Sequence, residues 1–171
     1  MTWSLAMRST FAAMVSASAL LGAATVSAAD APPDAVFELP AGTACAAFDV
    51  TVEVRGGTQV AKEFTDKNGN VVRRIAAGKG SELTFINVAT GESLALPANG
   101  SVTHVSLRPD GSSTWVTTGH NVLILFPTDV PAGPSTTLYV GRVVFTVDSD
   151  GVFAVTDTNG TSTDICVALS G

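Results

Sequence analysis

The chain predicts an all-β fold, a single antiparallel meander closed as an up-and-down barrel, with a two-sheet sandwich as the alternative. Three observations carry this reading. Apolar segments of strand length recur at roughly ten-residue spacing from Cys45 to the C-terminus. The linkers between them are rich in Gly, Asn and Asp, the residues that supply tight-turn geometry. No 3.6-residue apolar period occurs after residue 29.

Residues 1–29 read as a signal peptide. Arg8 is the one charge, and the run from Ser9 to Ala29 is uncharged and rich in Ala, Leu and Val. It ends in small residues that fit cleavage after Ala28 or Ala29. The stretch is long enough to span a bilayer, but its Ala and Ser content and lack of an aromatic belt argue for removal over anchoring. The expected protein is therefore secreted, with no transmembrane anchor after cleavage. Residues 30–44 hold three prolines and read as an extended leader or strand-edge segment.

The domain proper is expected over 45–171. AFDVTVEVR sets Phe48, Val50, Val52 and Val54 on one face and Asp49, Thr51, Glu53 and Arg55 on the other, a strict period of two. TQVAKEFT and VVRRIAA follow around the turn DKNGN, then ELTFINV and SLALP around ATGE. Next come SVTHVSL, the turn RPDGS, STWVTT and NVLILF. TTLYVGRVVFTV, the turn DSDG, VFAVTD, the turn TNGT and a last strand DICVAL complete the series. Short linkers between consecutive strands imply antiparallel neighbours.

Cys45 and Cys166 are the only cysteines and stand at the two ends of this domain. Outside the cytoplasm such a pair is expected as a disulfide, because a zinc site needs about four ligands and only His104 and His120 accompany the thiols. In a barrel the bridge would clasp the first strand to the last and remove the raw edges.

Charge excludes several functions. Removing residues 1–29 takes away one base and no acid, leaving eight Lys plus Arg against fifteen Asp plus Glu, a net charge of about −7. A nucleic-acid partner is not expected, and anionic membrane surfaces are disfavoured for the same reason. Catalytic motifs are absent: there is no G-x-S-x-G, P-loop, H-E-x-x-H or dinucleotide glycine pattern. His104 reads as a surface strand residue and His120 as a turn residue. DKNGN and DSDG lack the ligand set of a calcium loop and read as hairpin turns, so no metal or cofactor is expected. An extracellular hydrolase or cyclase is the weakest functional class.

The signal segment, PAG-x-x-C-x-x-F at 40–48, DKNGNVVR at 66–73, TTGHNVLILFP at 117–127 and the terminal DICVALS together resemble a group of small secreted actinobacterial proteins of unknown function. The resemblance spans nearly the whole mature chain. It implies secretion and the bridge, and no catalytic role.

Two non-catalytic readings compete. NVLILF and TTLYVGRVVF are apolar on both faces, so Leu123, Leu125, Leu138, Val140 and Val144 are expected to form an outer apolar patch. That patch would be covered by the segment Val36–Pro40 or by a second sheet, or would serve self-association or docking to an envelope protein. The alternative is a lipocalin-like carrier of a small apolar ligand, with Trp115, Tyr139 and Phe145 as interior contacts. The many bulky inward residues favour a packed interior.

Overall fold

A computed structural model of the chain describes residues 32–171, and the expected signal peptide lies outside them. Ten strands and one helical turn follow in order: β1 (Ala35–Leu39), β2 (Val50–Arg55), β3 (Thr58–Thr65), β4 (Val71–Lys79), β5 (Glu82–Asn87), β6 (Ser93–Leu96), β7 (Gly100–Leu107), β8 (Ser113–Leu125), β9 (Ser135–Val147), β10 (Phe153–Asp164) and α1 (Ile165–Ala168). The strands are antiparallel, as the alternating pattern predicts.

They do not close a barrel. β1-β2-β5-β6 form a four-stranded sheet and β10-β9-β8-β7-β4-β3 a six-stranded one. The expected barrel requires each strand to pair with the next, and that rule fails three times, between β2 and β3, β4 and β5, and β6 and β7. β2 pairs with β5, and β4 pairs with β7. The chain changes sheet after β2, β4 and β6, the first two times through glycine: Gly56 and Gly57, both at positive φ, after β2, and Gly80 after β4. A Gly-Gly pair suits a two-residue hairpin equally well, so local chemistry does not distinguish a hairpin from a sheet change.

Three of the hairpins, β3-β4, β7-β8 and β9-β10, share one turn chemistry. Asp66 Oδ1 accepts from the N–H groups of Asn68 (2.8 Å) and Asn70 (3.0 Å). Asp148 Oδ1 accepts from Asp150 and Val152, both at 2.9 Å, and Asp110 Oδ1 from Ser112 at 2.9 Å. A side chain that satisfies backbone donors within its own turn fixes the turn without help from the core.

Two expected turns lie within strands. TTGHN crosses the middle of β8 and TNGT the middle of β10, and the glycines of both meet glycines or small residues across the ladder. One in-register row runs Gly160, Gly141, Gly119, Ser101, Gly78, Gln59 across all six strands. The inward set changes phase at this row. Before Gly119 the buried residues of β8 are Ser113 and Thr117; after it, Val122 and Ile124 pack on the core.

That core lies between the sheets. Val50, Val52 and Phe85 of the four-stranded sheet meet Ala44, Cys45, Ile165 and Leu169, with Val122, Ile124 and Leu138 of the six-stranded sheet packed against them. The expected last strand is instead the turn α1: Asp164 ends β10 and accepts from Val167 N at 3.0 Å, capping the turn. Cys45 and Cys166 are joined, with Cα atoms 5.6 Å apart. The bridge therefore ties the β1–β2 connector to the end of β10, one sheet to the other, rather than two edges of one barrel. Thr136 Oγ1 donates to Ala44 O (2.9 Å) and Asn87 Nδ2 to Leu169 O (3.1 Å), so the same end is also held by buried hydrogen bonds.

Candidate functional site

The two sheets differ in length. β8 and β9 have thirteen residues each, whereas β5 has six and β6 four. At about 3.4 Å per residue the short strands cover less than half of the long ones. The core therefore fills the end near Cys45, and beyond it the sheets enclose a cleft of about 710 Å³.

Leu83, Leu96, Val122 and Leu138 belong both to the core and to the cleft wall. The cleft is the unfilled continuation of the hydrophobic interior. Leu123, Val140, Trp115 and Phe145 extend its apolar surface. Trp115 and Phe145 are cross-strand partners whose rings stack at 5.6 Å, and Phe145 stacks in turn on Phe153 at 5.5 Å. Trp115 Nε1 donates to Ser113 Oγ at 2.9 Å, which satisfies the indole and holds the ring. The mouth is formed by exposed groups: Gly56, Gly57, Gln59, Lys79, Pro97 and His120.

Away from the mouth the polar residues that line the cleft are uncharged: Ser81, Asn99, Ser101, Thr103, Thr117 and Asn121. Ser101 Oγ accepts from Gln59 Nε2 at 2.9 Å, joining β7 to β3 across β4. Thr117 Oγ1 and Asn121 Nδ2 have no partner, although each atom is shielded from solvent and Thr117 is only 5% exposed. These two residues flank Gly119, where the strand changes phase. No Asp, Glu or Cys lines the cleft among the described residues. His120 thus has no neighbouring lining carboxylate to orient it, and no group of three His, Cys, Asp or Glu among the described residues is placed to hold a metal. The arrangement suits binding of an uncharged, mainly apolar molecule better than proton transfer.

The structure redistributes the residues that the sequence marks as candidates. Of the five assigned to an outer patch, Leu123, Leu138 and Val140 come together, but in the cleft wall. Leu125 is 3% exposed, with the loop 126–134 folded back so that Gly133 N donates to Phe126 O at 2.9 Å. Val144 is half-buried opposite Val116 and does not line the cleft. Val36–Leu39, the other expected cover, pairs with β2 as β1. Of the three interior contacts, Trp115 and Phe145 line the cleft; Tyr139 instead borders a depression of about 30 Å³ with Arg142 and Thr158. Sequence reasoning misses Thr117 and Asn121, because T-T-G-H-N reads locally as a turn. Among the described residues, no helix is long and apolar enough to cross a membrane. No protein-family model, curated protein or solved structure matches the chain.

Proposed function

We propose that the protein is a secreted, non-catalytic carrier that holds a small apolar molecule in the cleft between its two sheets. The observation that carries the reading is an apolar cleft of about 710 Å³, continuous with the core and open at a polar rim. Binding sites for small molecules fall in the range of about 300–1,000 Å³ and are mostly apolar with a few placed polar groups. The disulfide and the signal-like residues 1–29 support secretion, as does the resemblance to small secreted actinobacterial proteins. The partner-docking reading has less support, since three of its five patch residues face the cleft and Leu125 is buried.

The test is titration of the purified protein with 1-aminoanthracene, a neutral apolar fluorophore. One saturable site is expected, with quenching of Trp115, and Leu96→Trp, which fills the wall, should abolish it. Non-saturable uptake, or saturable uptake untouched by Leu96→Trp, would remove the carrier reading.

A further inference from the structure

β1 and β3 each end a sheet and pair on one side only, β1 with β2 and β3 with β4. Among the described residues no strand lies beyond either, so both present a row of unpaired backbone N–H and C=O groups. Both edges are open to solvent. Val36, Phe37 and Glu38 are exposed in succession on β1, and residues 58–63 are exposed on β3, with Val60 at 74%. Each edge carries a charge on its outer face. Val50 and Val52 face the core, so Glu38, opposite Thr51, points outward. Val105 is buried and Trp115 lines the cleft, so Lys62, in the row of Ile75, His104 and Val116, points outward too. Lys62 lies over the Phe64 ring at 5.3 Å, and neither it nor Glu38 has an ion-pair partner among the described residues.

The signs of these two charges decide which edges can meet. With outer faces kept in phase, β1 beside another β1 brings Glu38 opposite or diagonal to its own copy, and β3 beside another β3 does the same with Lys62. Like charges so placed are destabilising. β1 beside β3 brings opposite charges together. We propose that β1 of one molecule adds antiparallel to β3 of a second copy, with Glu38 opposite Lys62. All five residues of β1 then find partners within the eight of β3. Val36 stands opposite Phe64, an aromatic and β-branched pair, and Leu39 stands opposite Ala61. A slip of one residue sets Glu38 against Glu63 or Ala61 and puts Val36 and Phe64 on opposite faces. The contact is heterologous, since each molecule it joins still has one free edge, and the chain of copies stays open. The paired strip is about 17 Å long at about 3.4 Å per residue, so association is reversible and rises with concentration. It involves residues 61–65 of β3 and stops short of Gln59 at the cleft mouth, which makes it independent of the carrier reading.

The experiment is sedimentation velocity of the natural protein at rising concentration, with hydrogen exchange on the same samples. A growing series of oligomers is expected, with exchange slowed at β1 and β3. Glu38→Lys sets two lysines face to face and Lys62→Glu two glutamates, so either change should weaken association about tenfold. Glu38→Lys combined with Lys62→Glu should restore it. Both side chains are exposed, so the three variants are expected to fold. In about 1 M salt, where screening acts within about 3 Å, the single variants and the natural protein should converge. A monomer at every concentration would overturn the proposal and leave the two edges to a partner other than a second copy. A dimer that grows no further would overturn it in favour of a symmetric contact. Single reversals without effect, a double swap that fails to restore association, or oligomers with unchanged exchange at β1 and β3 would overturn it as well.

Discussion

Gly119 on β8 stands directly opposite Gly141 on β9, both at positive φ, and a Cβ built on either falls 2.2–2.3 Å from a carbonyl oxygen of the next strand. The contact for Gly119 is Gly100 O, and for Gly141 it is Asn159 O. The backbones approach here because no side chain holds them apart, and the strands change phase at this level. The change turns Val122 and Ile124 onto the core while Thr117 and Trp115 face the cleft. The glycine row is thus what lets one long strand serve a packed end and an open end.

Gly119→Ala should therefore destabilise the fold by about 2–4 kcal/mol, since backbone, which cannot swing aside, meets the new methyl group. Gly69→Ala is the control: its φ is also positive, +86°, but nothing lies within 4 Å of the added carbon. It should cost about 1 kcal/mol, the conformational penalty alone. Urea denaturation of the two variants compares them directly, and equal costs would show that close approach at Gly119 is unimportant.

The Cys45–Cys166 bridge spans 121 residues. The chain-entropy estimate for a loop of that length is about 5 kcal/mol. Cys45→Ser/Cys166→Ser should lose much of that, moderated by the Thr136–Ala44 and Asn87–Leu169 hydrogen bonds that hold the same end. The unreduced protein should take up no alkylating agent, as both thiols are in the bridge. Intact mass before and after reduction checks this.

Asp129 is 4% exposed, and its carboxylate accepts from Phe126 N (2.6 Å) and Phe153 N (2.9 Å), one oxygen to each. It pins the loop 126–134 to the start of β10. Asp129→Asn keeps the shape but sets an amide donor against one of these N–H groups. A loss of about 2 kcal/mol is expected, with faster hydrogen exchange at Phe153. Unchanged protection of Phe153 would show that the carboxylate does not hold the loop.

The parts legible in the sequence are those settled within a few residues. DKNGN, RPDGS and DSDG turn where expected because each Asp closes its own turn. The Val50–Arg55 alternation buries Val50 and Val52 as a period of two requires. Gly119 and Gly160 read as turns because a glycine after Thr-Thr or Asn has the same local signature whether the chain reverses or passes a neighbouring strand. Only the ladder partner, Gly141 for both, decides between them. The sheet changes at Gly56-Gly57 and Gly80 are hidden for the same reason. The cleft is less legible still: it arises from the unequal lengths of strands that are distant in sequence.

Asp66 and Asp110 give a pH dependence whose sign is set by their partners. The backbone N–H of Asn70, aided by its side-chain amide, holds the Asp66 carboxyl below the ordinary 3.8. The hydroxyl of Ser112, then its backbone N–H, does the same for Asp110. A carboxyl with a lowered folded value stabilises the fold fully above its ordinary value and loses that contribution as pH falls through the lowered one. Both turns should therefore hold at pH 5 and loosen only below about 3.8. Carboxyl carbon shifts followed by NMR should give midpoints under 3.8 for both residues; a midpoint at or above it for Asp66 would mean that the Asn70 bonds do not form in solution.

Leu123 and Leu125, two residues apart on β8, should respond oppositely to the same substitution. Leu125 is 3% exposed under the returning loop, whereas Leu123 is half-buried in the wall of an open cleft. An aspartate at 125 would be sealed from water with no cation to meet it. Leu125→Asp should cost about 3–5 kcal/mol and fail to accumulate as folded protein. An aspartate at 123 can hydrate through the cleft mouth, so Leu123→Asp should fold. It would also be the first acid in a cleft lined by none, and its charge and hydration compete with an apolar occupant. The affinity for 1-aminoanthracene should fall about tenfold, equivalent to about 1.4 kcal/mol. Thermal melts and probe titration of the two single variants separate these effects. Two variants that fold equally well and bind equally well would show that neither the burial of Leu125 nor the placement of Leu123 in the cleft wall holds in solution.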